Sequence, residues 1–174
     1  MRLFKPWAAA ALAVAAACLL LLFFASRGPR PVPGARAPEF RLAGLDGRPK
    51  SLSDYRGRVV LLDFWATWCD TCREELPDLI RLYQRFRGNR FELLGVSVDE
   101  GGASRVGRFA RAVGLPYPVL LADYATVESY EISPIPVKFL VDQNGIIYRK
   151  YLGAADPAEL SADIETLLRS GGKP

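Results

Sequence analysis

The chain of 174 residues contains no histidine, a single methionine and only three cysteines. A structural zinc ion takes four ligands, usually Cys or His. Cys69 and Cys72 form a pair, and the third cysteine, Cys18, lies far away in an apolar segment. A zinc site within one chain is thereby excluded, and neither a metal nor any other cofactor is expected. The folded part also lacks an excess of charge. The net charge is +4, but Arg2, Lys5, Arg27, Arg30 and Arg36 fall in the first 36 residues, which hold no acid. The remaining 138 residues carry 18 basic and 19 acidic side chains, a net of −1. The basic excess therefore belongs to the leading segment, and nucleic-acid binding has no support. Those 138 residues suffice for one substantial core.

One long hydrophobic run is present. Trp7 to Ala25 is nineteen apolar residues behind a short basic head with Arg2 and Lys5. As a helix it would span ~28 Å, close to the hydrocarbon thickness of a bilayer. The run exceeds a signal-peptide core and ends Phe23-Phe24-Ala25, with no small-x-small cleavage site. Residues 1–25 are therefore read as an uncleaved signal anchor, with Cys18 as a small membrane-embedded hydrophobe. Residues 26–36 read as a Pro/Gly/Arg linker, partly polyproline II, and 37–174 as the folded domain.

The folded domain is organised around residues 59–72, VVLLDFWATWCDTC. The apolar, β-rich opening predicts a buried strand. Beyond Cys72, apolar residues at Leu76, Leu79, Ile80 and Tyr83 predict a helix. A strand thus delivers a Cys-x-x-Cys pair to a helix start, where free N–H groups and the dipole favour a thiolate. That context marks a redox-active dithiol. Asp63 interrupts the strand where neither periodicity nor burial calls for a carboxylate. It reads either as a strand-edge acid facing water or as a buried acid of raised pKa beside Cys72 that takes up its proton.

Around this centre, Asp46-Gly47 signals a hairpin after Glu39–Leu42, and residues 51–57 form a capped helical turn. Residues 91–99 read as a second buried strand, 103–113 as an amphipathic helix, 117–121 as a strand and 125–130 as a short helix. A strand at 137–142 turns through Gln143-Asn144-Gly145 into 146–152, and a helix closes the chain over 157–169. Strands alternating with helices and ending in a hairpin give an α/β fold with a mixed sheet.

These features together resemble the thioredoxin superfamily, and within it the membrane-tethered ResA- and TlpA-like branch, over residues 37–170. The resemblance rests on FWATWCDTC, Arg73-x-Glu75-x-Pro77, Asp46-Gly47, Ser51-Leu52-Ser53-Asp54 with Gly57, and Pro136 ahead of Phe139-Leu140-Val141-Asp142 and Gly145. It implies a thioredoxin-like mixed sheet flanked by helices, with an N-terminal β-hairpin and a central αβ insert from Asp99 to Asp123, preceded by one transmembrane helix. It implies a Cys69–Cys72 redox disulfide in which Cys69 is the exposed nucleophile and Cys72 resolves the mixed disulfide. Pro136 would be a cis-proline beside the dithiol, Ile135 would pair its backbone with substrate, and Trp68 would offer an apolar docking surface. Pro77 would kink the helix. Asp63 falls six residues before the first cysteine, where thioredoxin carries its buried aspartate. Glu75 matches a family position but reads by default as a solvated helix carboxylate. Pro134 and Val137-Lys138 depart from the residues the family usually has around the cis-proline.

The expected activity is thiol–disulfide exchange on protein substrates by a monomer anchored in the inner membrane, its domain on the periplasmic side. Relatives of this kind reduce cysteines of apocytochrome c or of a copper site, fed by a transmembrane thiol electron donor. The dipeptide Asp70-Thr71, lacking the histidine of strong oxidants, favours a reductant. The alternatives are a disulfide-forming oxidase and a copper-delivery protein. The latter usually has Cys-x-x-x-Cys and a histidine, both missing here. A peroxidatic site needs a Thr or Ser three residues before its cysteine, where this chain has Ala66.

Overall fold

The computed structural model describes residues 14–19 and 30–171. Of the apolar run at 7–25, only residues 14–19 are described, as helix. The expected membrane span therefore lies largely outside the described residues. Among those residues no helix is long and apolar enough to cross a membrane.

The domain is built on one seven-stranded sheet. Its strands are β1 (Arg41–Gly44), β2 (Pro49–Ser51), β3 (Val59–Trp65), β4 (Phe91–Ser97), β5 (Val119–Leu121), β6 (Val137–Val141) and β7 (Ile147–Leu152). They lie in the order β2-β1-β5-β4-β3-β6-β7. β3, β4 and β5 run parallel, while β6 is antiparallel to β3 and β7 to β6. The N-terminal hairpin docks on the insert, because β1 pairs antiparallel with β5. Four helices complete the fold: α1 (Asp70–Phe86), α2 (Gly102–Val113), α3 (Tyr124–Ser129) and α4 (Pro157–Ser170). A 3-10 turn covers Leu52–Tyr55, its capping box joining Ser51 and Asp54. The mixed sheet, the hairpin and the central insert all match the thioredoxin-like reading.

All seven residues of β3 are buried, because the strand is central and covered on both faces. Side chains alternate between those faces. Val59, Leu61 and Trp65 pack with Leu79 and Leu82 of α1 and with Leu160 and Ile164 of α4. Val60, Leu62 and Phe64 pack on the other side with Phe40, Leu52 and Tyr130. Burying each large aliphatic side chain contributes ~1.5–3 kcal/mol, so β3 is the backbone of both cores. Alternation also fixes Asp63 on the α1 face, between Leu61 and Trp65.

Pro77 lies inside α1, beyond the first turn. Its missing N–H leaves the carbonyl of Arg73 without the usual i+4 donor. Residues 34–37, where the expected linker meets the expected domain, are hydrogen-bonded to the domain. Gly34 N–H donates to the Ile147 carbonyl at 2.8 Å, Ile147 N–H to Ala35 at 2.9 Å, and Ala37 N–H to Gly145 at 2.9 Å. The end of the expected linker is therefore bound to the start of β7.

Candidate active site

β3 ends at Trp65, and the chain turns through Ala66, Thr67 and Trp68 into α1. Asp99, just beyond β4, holds that turn. Its carboxylate accepts the Thr67 N–H at 2.9 Å and the Thr67 hydroxyl at 2.5 Å, and the Ser97 hydroxyl at 2.8 Å. Trp68 is left 62% exposed. Cys69 is the N-cap of α1, with extended backbone, and its Sγ accepts the Cys72 N–H at 3.2 Å. Cys69 and Cys72 form a disulfide across a Cα–Cα distance of 5.3 Å. The expectation of an exposed first cysteine needs correcting for this oxidised state. Cys69 is only 7% exposed and Cys72 3%, and both belong to the core cluster that includes Trp65 and Ala66.

Beneath the first turns of α1 lies a buried charge cluster. Lys138 of β6, with no exposure at all, places Nζ 2.8 Å from Glu75 Oε2 and 3.5 Å from Asp63 Oδ1. The first contact is a hydrogen bond. The second is an ion-pair distance without hydrogen-bond geometry, so Asp63 Oδ1 has no hydrogen-bond partner among the described residues. Glu75 Oε1 accepts the Ala155 N–H at 2.8 Å. Glu75 is therefore not the solvated carboxylate its helical position suggests; it is 9% exposed. The signal was its spacing, three residues after Cys72 and one before Leu76, on the stripe that α1 buries. Lys138 lies inside β6, the strand beside β3, and is buried there.

Burial pushes the Asp63 carboxyl above its ordinary range; the Lys138 ammonium opposes that shift, and Glu75 adds to it. Tyr117 reports on the same pocket. Its phenol is raised well above the usual value by burial first, then by Asp63 and Glu75, and its hydroxyl also has no partner among the described residues. Gly95, opposite Asp63 in the register, leaves the room this pocket needs. A Cβ there would come within 3.1 Å of both Trp65 Nε1 and Tyr117 Cε2.

The Ile135–Pro136 peptide is cis, as is Ser133–Pro134. Pro136 is buried and its carbonyl accepts the Gly153 N–H at 2.9 Å. Trp68, Tyr124, Pro134 and Ile135 border a groove of about 470 Å³ alongside the dithiol turn. Among the described residues no group of three or more His, Cys, Asp or Glu side chains could hold a metal ion. The arrangement supports thiol–disulfide exchange: a disulfide at a helix start, a groove beside it and a buried acid on the strand that leads into it.

The sequence profile of the AhpC/TSA family matches residues 33–150. The chain is 35% identical over 135 residues to the thiol-disulfide oxidoreductase ResA of Geobacillus thermodenitrificans, covering 77% of each chain. In structure it resembles the thioredoxin domain of a thiol-disulfide oxidoreductase from Bacteroides vulgatus. That match has a TM-score of 0.71 at 30% identity and covers 79% of this chain and 98% of the other. A thiol:disulfide interchange protein of the thioredoxin family from Chlorobium tepidum gives a TM-score of 0.70 at 27% identity, over 81% and 99%.

Proposed function

The chain belongs to the AhpC/TSA family and is a thiol-disulfide oxidoreductase related to ResA, and on that premise we propose that it reduces disulfides in protein substrates outside the cytoplasm. The nineteen-residue apolar run of residues 7–25 would hold it to the inner membrane, with the domain on the periplasmic face and a transmembrane thiol carrier as donor. Apocytochrome c and copper-site cysteines are the substrate class this reading favours. Cys69 thiolate attacks one sulfur of the substrate disulfide and expels the other as a thiolate. Cys72 gives its proton to Asp63 and attacks Cys69 Sγ, forming the Cys69–Cys72 bond and releasing the second substrate thiolate. Trp68, Ile135 and Pro136 would present the substrate chain.

The observation that carries the reducing direction is the charge around the dithiol. A strong oxidant stabilises its thiolate and hence its reduced form. Here two nearby cations are each bound to a carboxylate: Arg73 to Asp70 at 3.2 Å, and Lys138 to Glu75 at 2.8 Å. The sulfur of Cys69 receives one backbone N–H. The helix start adds only ~0.3–1 kcal/mol at an exposed site. With so little to favour the thiolate, the midpoint should lie nearer ~−270 mV than ~−120 mV. Equilibration of the full chain in detergent with dithiothreitol or glutathione buffers at pH 7 measures it. A midpoint above about −180 mV would overturn the reductant reading in favour of an oxidase. Fusion of reporter domains to the C-terminus tests the topology; activity of a reporter that works only in the cytoplasm would overturn it.

A further inference from the structure

We propose that Lys138 is a positioning residue of the resolving step: it locks Glu75 as a fixed carboxylate and thereby leaves Asp63 as the one acid beneath the dithiol that is free to take up the Cys72 proton. The starting observation is an asymmetry. Both Glu75 oxygens are occupied, Oε2 by Lys138 Nζ and Oε1 by the Ala155 N–H, each at 2.8 Å. Asp63 Oδ1 has no hydrogen-bond partner among the described residues, though Lys138 Nζ stands 3.5 Å away. A carboxylate that receives two strong donors is stabilised as the anion and is a poor proton acceptor. A buried carboxyl with an unoccupied oxygen is the opposite: costly when charged, and open to a proton.

The position of Lys138 accounts for the difference. Lys138 stands opposite Asp63 in the β3–β6 register, so its side chain shares a face with Asp63 and meets α1. From there one ammonium reaches the helix carboxylate at hydrogen-bond distance and the strand carboxylate only at ion-pair distance. The charged and titratable groups around Asp63 are Lys138 from β6, Glu75 from α1 and Tyr117 from the segment before β5; Cys72 of α1 lies in the core cluster that holds Leu61 and Trp65, the neighbours of Asp63 on its face of β3. The next such network, Tyr151, Asp163, Arg149 and Glu159, lies one strand further out: the Tyr151 hydroxyl donates to Asp163 at 2.6 Å, and Arg149 pairs with Asp163 at 2.9 Å and with Glu159. With Lys138 in place, the cluster holds one cation, one anion and one exchangeable proton. Without it, two buried carboxylates would share a low-dielectric site and could not both ionise. Asp63 would then lose the cation that opposes the effect of its burial and would keep its proton to higher pH.

The inference rests on Asp63 as the proton acceptor in resolution, and the variants separate the two ideas. The measurement is the rate of release of a fluorescent thiol from the Cys69 mixed disulfide, followed as a function of pH in the full chain. In wild type the rate rises with pH through the titration of Asp63. Lys138→Met should move that rise upward by about one pH unit or more. Glu75→Gln should move it downward, because Asp63 loses a neighbouring anion and gains the whole of the Lys138 charge. In Lys138→Met/Glu75→Gln the upward displacement should be smaller than in Lys138→Met, since no second carboxylate remains; what persists is the direct loss of the Lys138 charge beside Asp63. A merely structural lysine would lower the melting temperature of Lys138→Met and leave all three profiles in place, and that result overturns the proposal. Should Lys138→Met fail to fold, Glu75→Gln decides alone: an unmoved profile rejects the proposal. If Asp63→Asn itself leaves resolution unchanged, the premise fails instead.

Discussion

Asp99 accepts both the backbone N–H and the side-chain hydroxyl of Thr67, at 2.9 and 2.5 Å, and so ties the end of β4 to the turn that carries Trp68 and Cys69. The turn has few other anchors: the Cys69 N–H donates to the Ala66 carbonyl at 3.2 Å, and Val98 N–H to Trp65 at 2.9 Å. The height of Cys69 above the sheet therefore depends on a charge-assisted pair of hydrogen bonds from a neighbouring strand end. Hydrogen bonds to a charged group contribute ~1.5–3 kcal/mol.

Asp99→Ala should accordingly cost about 2 kcal/mol of stability and slow attack on substrate disulfides, while Asp99→Asn keeps one acceptor and part of both. Thermal unfolding and single-turnover exchange measure the two effects. Equal exchange rates in Asp99→Ala and wild type would show that the turn holds its shape unaided.

The two cysteines should differ in role although both are buried in the disulfide. Cys69 caps α1 beside the exposed Trp68, whereas Cys72 sits one turn inside the helix and faces the core. Cys69→Ser should abolish exchange. Cys72→Ser should still form mixed disulfides with substrate but fail to release them. Alkylation of the reduced protein followed by peptide mapping checks the order; faster modification of Cys72 than of Cys69 would reverse the assignment.

Much of this site is legible in the sequence, and what is not has a physical reason. The strand, the dithiol and Asp63 stand out because a carboxylate inside a run such as VVLLDFW has no place on an amphipathic pattern. Glu75 and Lys138 are harder. A helix carboxylate three residues from a cysteine belongs equally to a solvated or a buried stripe until the neighbouring element is known. Here that element is the segment after β7, whose Ala155 N–H completes Glu75. Nothing local to residue 75 announces a donor 80 positions away. The pairing of residues 34–37 with the start of β7 was hidden for a similar reason: Pro- and Gly-rich composition reads as tether, and long-range hydrogen bonds leave no periodic trace.

Asp70 tunes the potential from outside the core. Its carboxylate follows Cys69 directly and pairs with Arg73 at 3.2 Å, both side chains being more than half exposed. Removing the anion should leave the Arg73 cation to favour the Cys69 thiolate. A unit charge ~5 Å away is worth ~0.8 kcal/mol in water. For a two-electron couple that is ~15–20 mV. Asp70→Asn should therefore raise the midpoint by about that amount at low salt, and less as salt screens the charges. A fall in midpoint would show that Arg73 acts on Asp70 alone.

Asp63→Asn should slow resolution and stabilise the fold, and the pH dependence of the second effect separates electrostatics from packing. The loss of a general base lowers the resolving rate by ~10-fold or more, with attack by Cys69 nearly intact. For stability the sign follows from the direction of the shift. Burial raises the folded-state value of Asp63 above that of the unfolded chain, against the opposing pull of Lys138. Protons therefore bind the folded state more tightly, and the contribution of Asp63 is most favourable below the ordinary carboxylate value of ~3.9. It declines as pH rises from there through the raised folded-state value, because ionising the group costs more in the pocket than in water. Asparagine does not titrate, so the stability gain of Asp63→Asn over wild type should be smallest near pH 4 and grow toward neutral pH. Lys138 stays paired in the variant, since Glu75 holds it at 2.8 Å. Thermal unfolding of both proteins from pH 4 to pH 8 measures the difference. A gain that is constant with pH would mean that Asp63 is equally disfavoured in both protonation states, and a gain that shrinks with rising pH would mean that Lys138 outweighs burial.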